Sequence, residues 1–174
     1  TQWLSTVPVG VLGLRPTVGV VRTRFVEGLR GDNAGDAMLL QRARTALEAM
    51  RDVENRPAGL YNIALLDAYS GNAERALQRA RRAVQLASGD VTVLNTLGIA
   101  LFKAGQADSA RAVFGRIIAG GSSTPVTEAA WRASCLRKVV GPMTTRVCFN
   151  YARALYERDK AAGVTLLTAY RDIY

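Results

Sequence analysis

The chain has 174 residues, 49% of them apolar and 21% charged, which suits one compact domain or a short helical array and argues against wholesale disorder. The formal net charge is +9, almost all of it from Arg, with only Lys103, Lys138 and Lys160 as lysines; such a surface favours acidic proteins, anionic lipid or nucleic acid as partners. There is no His, which excludes His-based metal sites and His acid–base catalysis.

The chain opens at Thr1 and not at Met, a start that fits either a removed leader or a longer chain. Residues 1–16 are apolar without helical or strand order. Residues 3–21 come closest to a membrane span, but Pro8, Arg15 and Pro16 interrupt them, so no spanning helix is expected. Trp3, Leu4, Val7, Leu12 and Leu14 make this stretch a hydrophobic arm, expected to dock on a partner or along the rest of the chain.

A helical pair is expected over residues 17–56. Its first helix covers roughly residues 17–30, and Gly31-Asp32-Asn33-Ala34-Gly35 forms its loop. The run Leu40-Gln41-Arg42-Ala43-Arg44 recurs as Leu77-Gln78-Arg79-Ala80-Arg81. Residues 57–90 then align with residues 91–124 without a gap: Leu60 falls on Leu94, Ile63 on Leu97, Ala64 on Gly98, Gly71 on Gly105 and Ala76 on Ala110. Small residues at 64, 76, 98 and 110 let paired helices approach, and the larger side chains fill the gaps between neighbouring pairs. Gly71 and Gly105 are expected to end the first helix of each pair in the left-handed region.

Thr124-Pro125 reads as the cap and first position of another helix, running to about residue 140. Gly141-Pro142 breaks the chain, a second helix covers about residues 144–158, and a last one carries Gly163, Leu167, Tyr170 and Tyr174. Cys135 and Cys148 lie level with each other in a hairpin folded at 141–142. Two readings stand: a disulfide, which implies an oxidising compartment, or two small buried thiols.

Leu94, Leu97, Gly98, Leu101, Gly105, Ala110 and Phe114 together resemble the tetratricopeptide repeat, with residues 57–90 a second copy and residues 17–56 a degenerate one. Asp67 and Ala80 depart from the pattern where large apolar residues are usual, which suggests looser packing there. The resemblance implies an all-α fold: a right-handed superhelical array of helix-turn-helix repeats over 17–124, closed by a C-terminal helical hairpin and cap over 125–174. It also implies a groove lined by the first helix of each pair, here Tyr61, Leu65 and Tyr69, then Asn95, Ile99, Phe102 and Lys103. The family's grip on a terminal carboxylate is not reproduced, because Asn62, Asn95 and Lys103 are too few.

Arg42, Arg44, Arg75, Arg79 and Arg82 are expected to make a basic outer face, on which anionic lipid is one conceivable contact. Nucleic acid is not the expected ligand, since no stacking platform or reading module accompanies these charges. No activated nucleophile, catalytic carboxylate pair or phosphate loop is evident, and Gly10-Val11-Leu12-Gly13 lacks the lysine such a loop needs. The expected role is therefore a non-catalytic protein–protein interaction scaffold without cofactor or metal. It would be a structural or assembly subunit of a larger complex, in the periplasm or envelope; respiratory and photosynthetic complexes are examples. A chaperone-like adaptor for transient peptides, a cytoplasmic location, and an enzyme with its site in the groove are the alternatives.

Overall fold

The computed structural model describes residues 34–49, 52–136 and 142–173. Among these residues the chain is all-α: eight helices and one 3-10 turn, with no strand. The helices are α1 (Ala34–Glu48), α2 (Pro57–Tyr69), α3 (Ala73–Leu86), α4 (Val91–Lys103), α5 (Ala107–Ile118), α6 (Glu128–Cys135), α7 (Pro142–Arg158) and α8 (Lys160–Arg171). The 3-10 turn, Val53–Asn55, precedes α2. The first helix of the degenerate copy and the whole N-terminal arm lie outside the described residues.

Local chemistry sets the helix ends. Pro57 starts α2, where a missing N–H costs nothing. Asp90 caps α4 by accepting from the backbone N–H groups of Thr92 and Val93 at 2.7 and 3.2 Å. Gly71 and Gly105 have φ of 81° and 75° and close α2 and α4 in the same way. Just beyond each glycine, Asn72 N–H bonds to Asp67 O and Gln106 N–H to Leu101 O, both at 2.9 Å.

These ends fold the chain into hairpins that stack in series. α2 pairs with α3, and α4 with α5, while α3 packs on α4 and α2 lies beside α4. Ala64, Ala76, Ala80, Ala83 and Ala110 are fully buried in these seams. At Gly98 the approach is so close that a Cβ would meet the ring of Phe114. This is a tetratricopeptide-like array, in which each pair covers an apolar face that its neighbour would otherwise leave wet.

The C-terminal third differs from the sequence expectation in its pairing. α5 packs on α7, and α7 pairs with α8, so α7/α8 is the next hairpin of the series. Residues 125–136 do not supply its first member. Thr127, not Thr124, caps α6 by accepting from Ala130 N–H at 3.2 Å, and α6 is only an eight-residue insert. Gly163 of α8 sits against the backbone of Tyr156, which seals that hairpin. Of the residues expected on the inner side of the last helix, Gly163 and Tyr170 are buried and Leu167 half-buried; Leu166 joins them, and Tyr174 is outside the described residues.

The departures at Asp67 and Ala80 do not loosen the second copy. Ala80 stands where Phe114 stands one repeat later, and Ala64 stands where Gly98 does, so one added methyl partly offsets the lost ring. Asp67 is wholly buried and holds two guanidiniums: Arg44 of α1 at 2.7 Å and Arg79 of α3 at 2.5 Å. The Arg79 contact is a hydrogen bond, whereas Arg44 is held as an ion pair without hydrogen-bond alignment. Arg79 also reaches Glu54 of the 3-10 turn at 3.0 Å. One carboxylate thereby fastens α1 and α3 to α2. Removing its charge in Asp67→Asn leaves the largely buried Arg44 and Arg79 with only the more exposed Glu48 and Glu54 as carboxylate partners. A cost of about 3 kcal/mol is expected, the lower end of the range for a broken buried pair because both guanidiniums keep some exposure. A lower denaturant midpoint at unchanged slope checks this.

Candidate protein-binding wall

α2, α4 and α7 are the first helices of successive hairpins, and their side chains meet along one wall. Lys103 Nζ lies 5.1 Å from the centre of the Tyr69 ring, joining α4 to α2. Asn150 Nδ2 donates to Asn95 Oδ1 at 3.0 Å, joining α7 to α4. The Arg153 guanidinium lies 5.5 Å from the Phe102 ring and 5.3 Å from the Tyr156 ring, and it bonds Glu157 at 2.6 Å. Phe149 packs at a tilt against Tyr170 of α8, with centroids 5.7 Å apart.

Of the seven expected groove residues, Leu65, Tyr69, Ile99 and Phe102 are half-buried and Lys103 is exposed, so all five remain reachable. Tyr61 and Asn95 do not; each is only 7% exposed. Tyr61 is drawn into a core cluster with Leu60, Ala83 and Val93, and Asn95 is covered by Asn150. Asn62 donates to Ala58 O within its own helix at 2.7 Å and is buried. Arg146, Phe149 and Arg153 belong to the wall and were not singled out from sequence.

Burial sets the electrostatics of this wall. It pushes the Tyr69 phenol above its ordinary range, an effect that Arg146 opposes. Burial also draws the Arg146 guanidinium below its ordinary value, partly offset by Tyr69 and Tyr170. The phenol therefore stays neutral at neutral pH and supplies no counter-charge. Neither Lys103 nor Arg146 has a carboxylate ion-pair partner among the described residues.

The expected basic outer face is only partly formed. Arg42, Arg75 and Arg82 are exposed, but Arg44 and Arg79 turn inward to Asp67, because an unpaired carboxylate at that depth would be costlier than two ordered guanidiniums. Arg82 borders a shallow hollow with Glu74, Gln78, Arg81 and Gln106, whose mixed polarity defines no chemistry. The five arm residues, from Trp3 to Leu14, lie outside the described residues.

Cys135 and Cys148 form a disulfide with Cα atoms 5.7 Å apart, linking the α6 insert to α7. Trp131 Nε1–H donates to Cys148 O at 3.3 Å, and the Tyr151 hydroxyl donates to Val126 O at 3.0 Å. The insert is thus clasped on the outside of α7. Among the described residues no helix is long and apolar enough to cross a membrane, and no cluster of three or more His, Cys, Asp or Glu could hold a metal ion.

Stacked hairpins with a side wall of aromatic, aliphatic and cationic groups define a helical-repeat interaction module. Residues 68–122, from the end of α2 to just past α5, match the family model described as tetratricopeptide repeat, in keeping with the sequence resemblance. No curated protein and no solved structure matches the chain.

Two predictions come from these contacts. The disulfide spans a separation of 13 residues, and closing a loop of about that length contributes ~3 kcal/mol, so Cys135→Ala/Cys148→Ala is expected to lose that much in denaturant titrations. Native protein should show no alkylatable thiol; two modified cysteines would contradict the bond.

The second concerns alkali. Burial raises the phenols of both Tyr69 and Tyr151 above the ordinary value, Arg111 opposing it at Tyr151. Their contribution is therefore fully present below about pH 10, where the unfolded phenols titrate, and is lost as pH rises through the higher folded values. Stability should fall between about pH 10 and the pH at which the folded phenols ionise, and Tyr69→Phe should flatten that fall. Unfolding midpoints measured across this range check the slope.

Proposed function

We propose that this protein is an interaction scaffold whose wall of α2, α4 and α7 holds a segment of a partner protein, as a structural or assembly subunit of a larger complex. The observation that carries the reading is the wall itself. Half-buried Leu65, Tyr69, Ile99 and Phe102 lie beside Lys103 and Arg146, two cations without a carboxylate ion-pair partner among the described residues. Tetratricopeptide repeats generally mediate protein–protein interactions, and partly exposed apolar side chains on stacked helices suit a helix or extended peptide. The Cys135–Cys148 disulfide favours an oxidising compartment such as a periplasm or envelope. Exposed Arg42, Arg75 and Arg82 suit a site near an anionic lipid surface.

Tagged protein recovered from its native source tests this, with bound proteins identified and quantified by mass spectrometry. Partners are expected at fixed stoichiometry and should survive a salt wash, as for a permanent subunit; partners that wash away indicate an adaptor for transient peptides. Tyr69→Ala/Phe102→Ala removes two rings from the wall and should weaken retention at least about tenfold while helical content stays unchanged. Equal retention by this variant would place binding elsewhere and overturn the reading.

A further inference from the structure

The charge inventory of the wall is lopsided. α2, α4 and α7 together contain two carboxylates, Asp67 and Glu157. Asp67 is fully buried and committed to Arg44 and Arg79, and Glu157 is bonded to Arg153. Nothing acidic on these three helices is left for Lys103 and Arg146, which both flank Tyr69: the ammonium lies over its ring, and the guanidinium is close enough to act on its phenol electrostatically. Arg146 is half-buried as well. A guanidinium that has lost hydration without gaining an anion among the described residues is in a costly state, which a carboxylate offering charge-assisted hydrogen bonds would relieve. On α4 beside Lys103, Ile99 and Phe102 are half-buried, and the Arg153 guanidinium lies 5.5 Å from the Phe102 ring.

We infer that the occupant of this wall is an acidic segment within a partner protein, whose Asp or Glu side chains engage Lys103 and Arg146 while interleaved apolar side chains lie on Ile99 and Phe102. The inference rests on the wall being the binding face and specifies the chemistry of what it binds. Neither the uniform charge of a nucleic-acid backbone nor a lipid headgroup would use the apolar surface of Ile99 and Phe102 beside the cations, whereas a polypeptide alternating acidic and apolar residues would use both. Arg146 is half-buried, so its charge is screened less than a surface charge and discriminates sign more strongly.

Full-length protein is titrated, by fluorescence anisotropy, with a labelled peptide of alternating glutamate and leucine and with its glutamine–leucine counterpart. Both peptides carry blocked termini, so that no terminal carboxylate takes part. The glutamate peptide is expected to bind at least about tenfold more tightly, as one or two charge-assisted contacts would give. The difference should vanish in Lys103→Gln/Arg146→Gln, persist in the charge-conserving Arg146→Lys, and be untouched by Arg75→Gln on the outer face. Circular dichroism of each variant establishes that it is folded.

Equal affinity for the two peptides overturns the acidic specificity and leaves the scaffold reading in place. Binding of neither peptide also overturns the inference, and the scaffold reading is then decided independently by native co-purification. A preference that survives Lys103→Gln/Arg146→Gln, or that is lost in Arg75→Gln, assigns acid recognition to another surface and overturns it too. So does a preference for vesicles of anionic lipid, dependent on the same two cations, over the glutamate peptide.

Discussion

In each of the three helix pairs among the described residues, the two helices meet at a residue with almost no side chain. In α2/α3 that residue is Ala64, in α4/α5 it is Gly98, and in α7/α8 it is Gly163. The close approach brings the larger side chains of each pair out to its two edges, where only the neighbouring pair can cover them. Leu60 and Tyr61 of the first pair share a cluster with Val93 of the second, and Phe114 of the second shares one with Val147 and Tyr151 of the third. The serial order is therefore a consequence of burial: no pair covers its own apolar surface, and all become stable together.

Within that constraint the chain makes one substitution of kind. At the position where Leu101 packs in the second pair, the first pair carries Asp67, and the apolar contact is replaced by a carboxylate between two guanidiniums. Such a centre adds little net stability over a leucine, because desolvation consumes most of its Coulomb energy. It does add direction. A leucine would accept many neighbouring packings, whereas Asp67 accepts only an arrangement that brings Arg44 and Arg79 to its two oxygens. That fits its place at the junction with α1, where the repeat pattern is weakest and apolar complementarity has least to say about register.

The limits of the sequence follow from the same physics. Over residues 57–124 the spacing of small and large side chains repeats every 34 positions, and the array is legible because burial forces that period. Beyond residue 124 the period is interrupted. Asn95 of α4 meets Asn150, 55 positions on, because α6 and its flanking loops lie between. An insertion breaks a periodic comparison without breaking the packing it describes, so α7 could be read as a helix but not as the third member of the wall. Its contribution, Arg146, Phe149 and Arg153, was hidden for that reason. The inward turn of Arg44 and Arg79 was hidden for another. Helical spacing shows which residues share a face, but here the destination of these two was set by Asp67, a residue on a different helix.

The insert itself then acquires a role in the architecture. Among the described residues α7 packs on α5 and α8 and also touches α4, and the insert meets it as well. The Cys135–Cys148 bond, the Trp131 indole on Cys148 O and the Tyr151 hydroxyl on Val126 O all act on α7 from the outside, each supplied or met by the segment that interrupts the repeat. They hold α7 against α5 along the seam where Gly115 admits the Tyr151 ring. Because α7 carries Arg146 and Arg153, the position of those cations relative to Lys103 depends on this outer clasp. The segment that breaks the sequence period thus helps to fix the geometry of the wall.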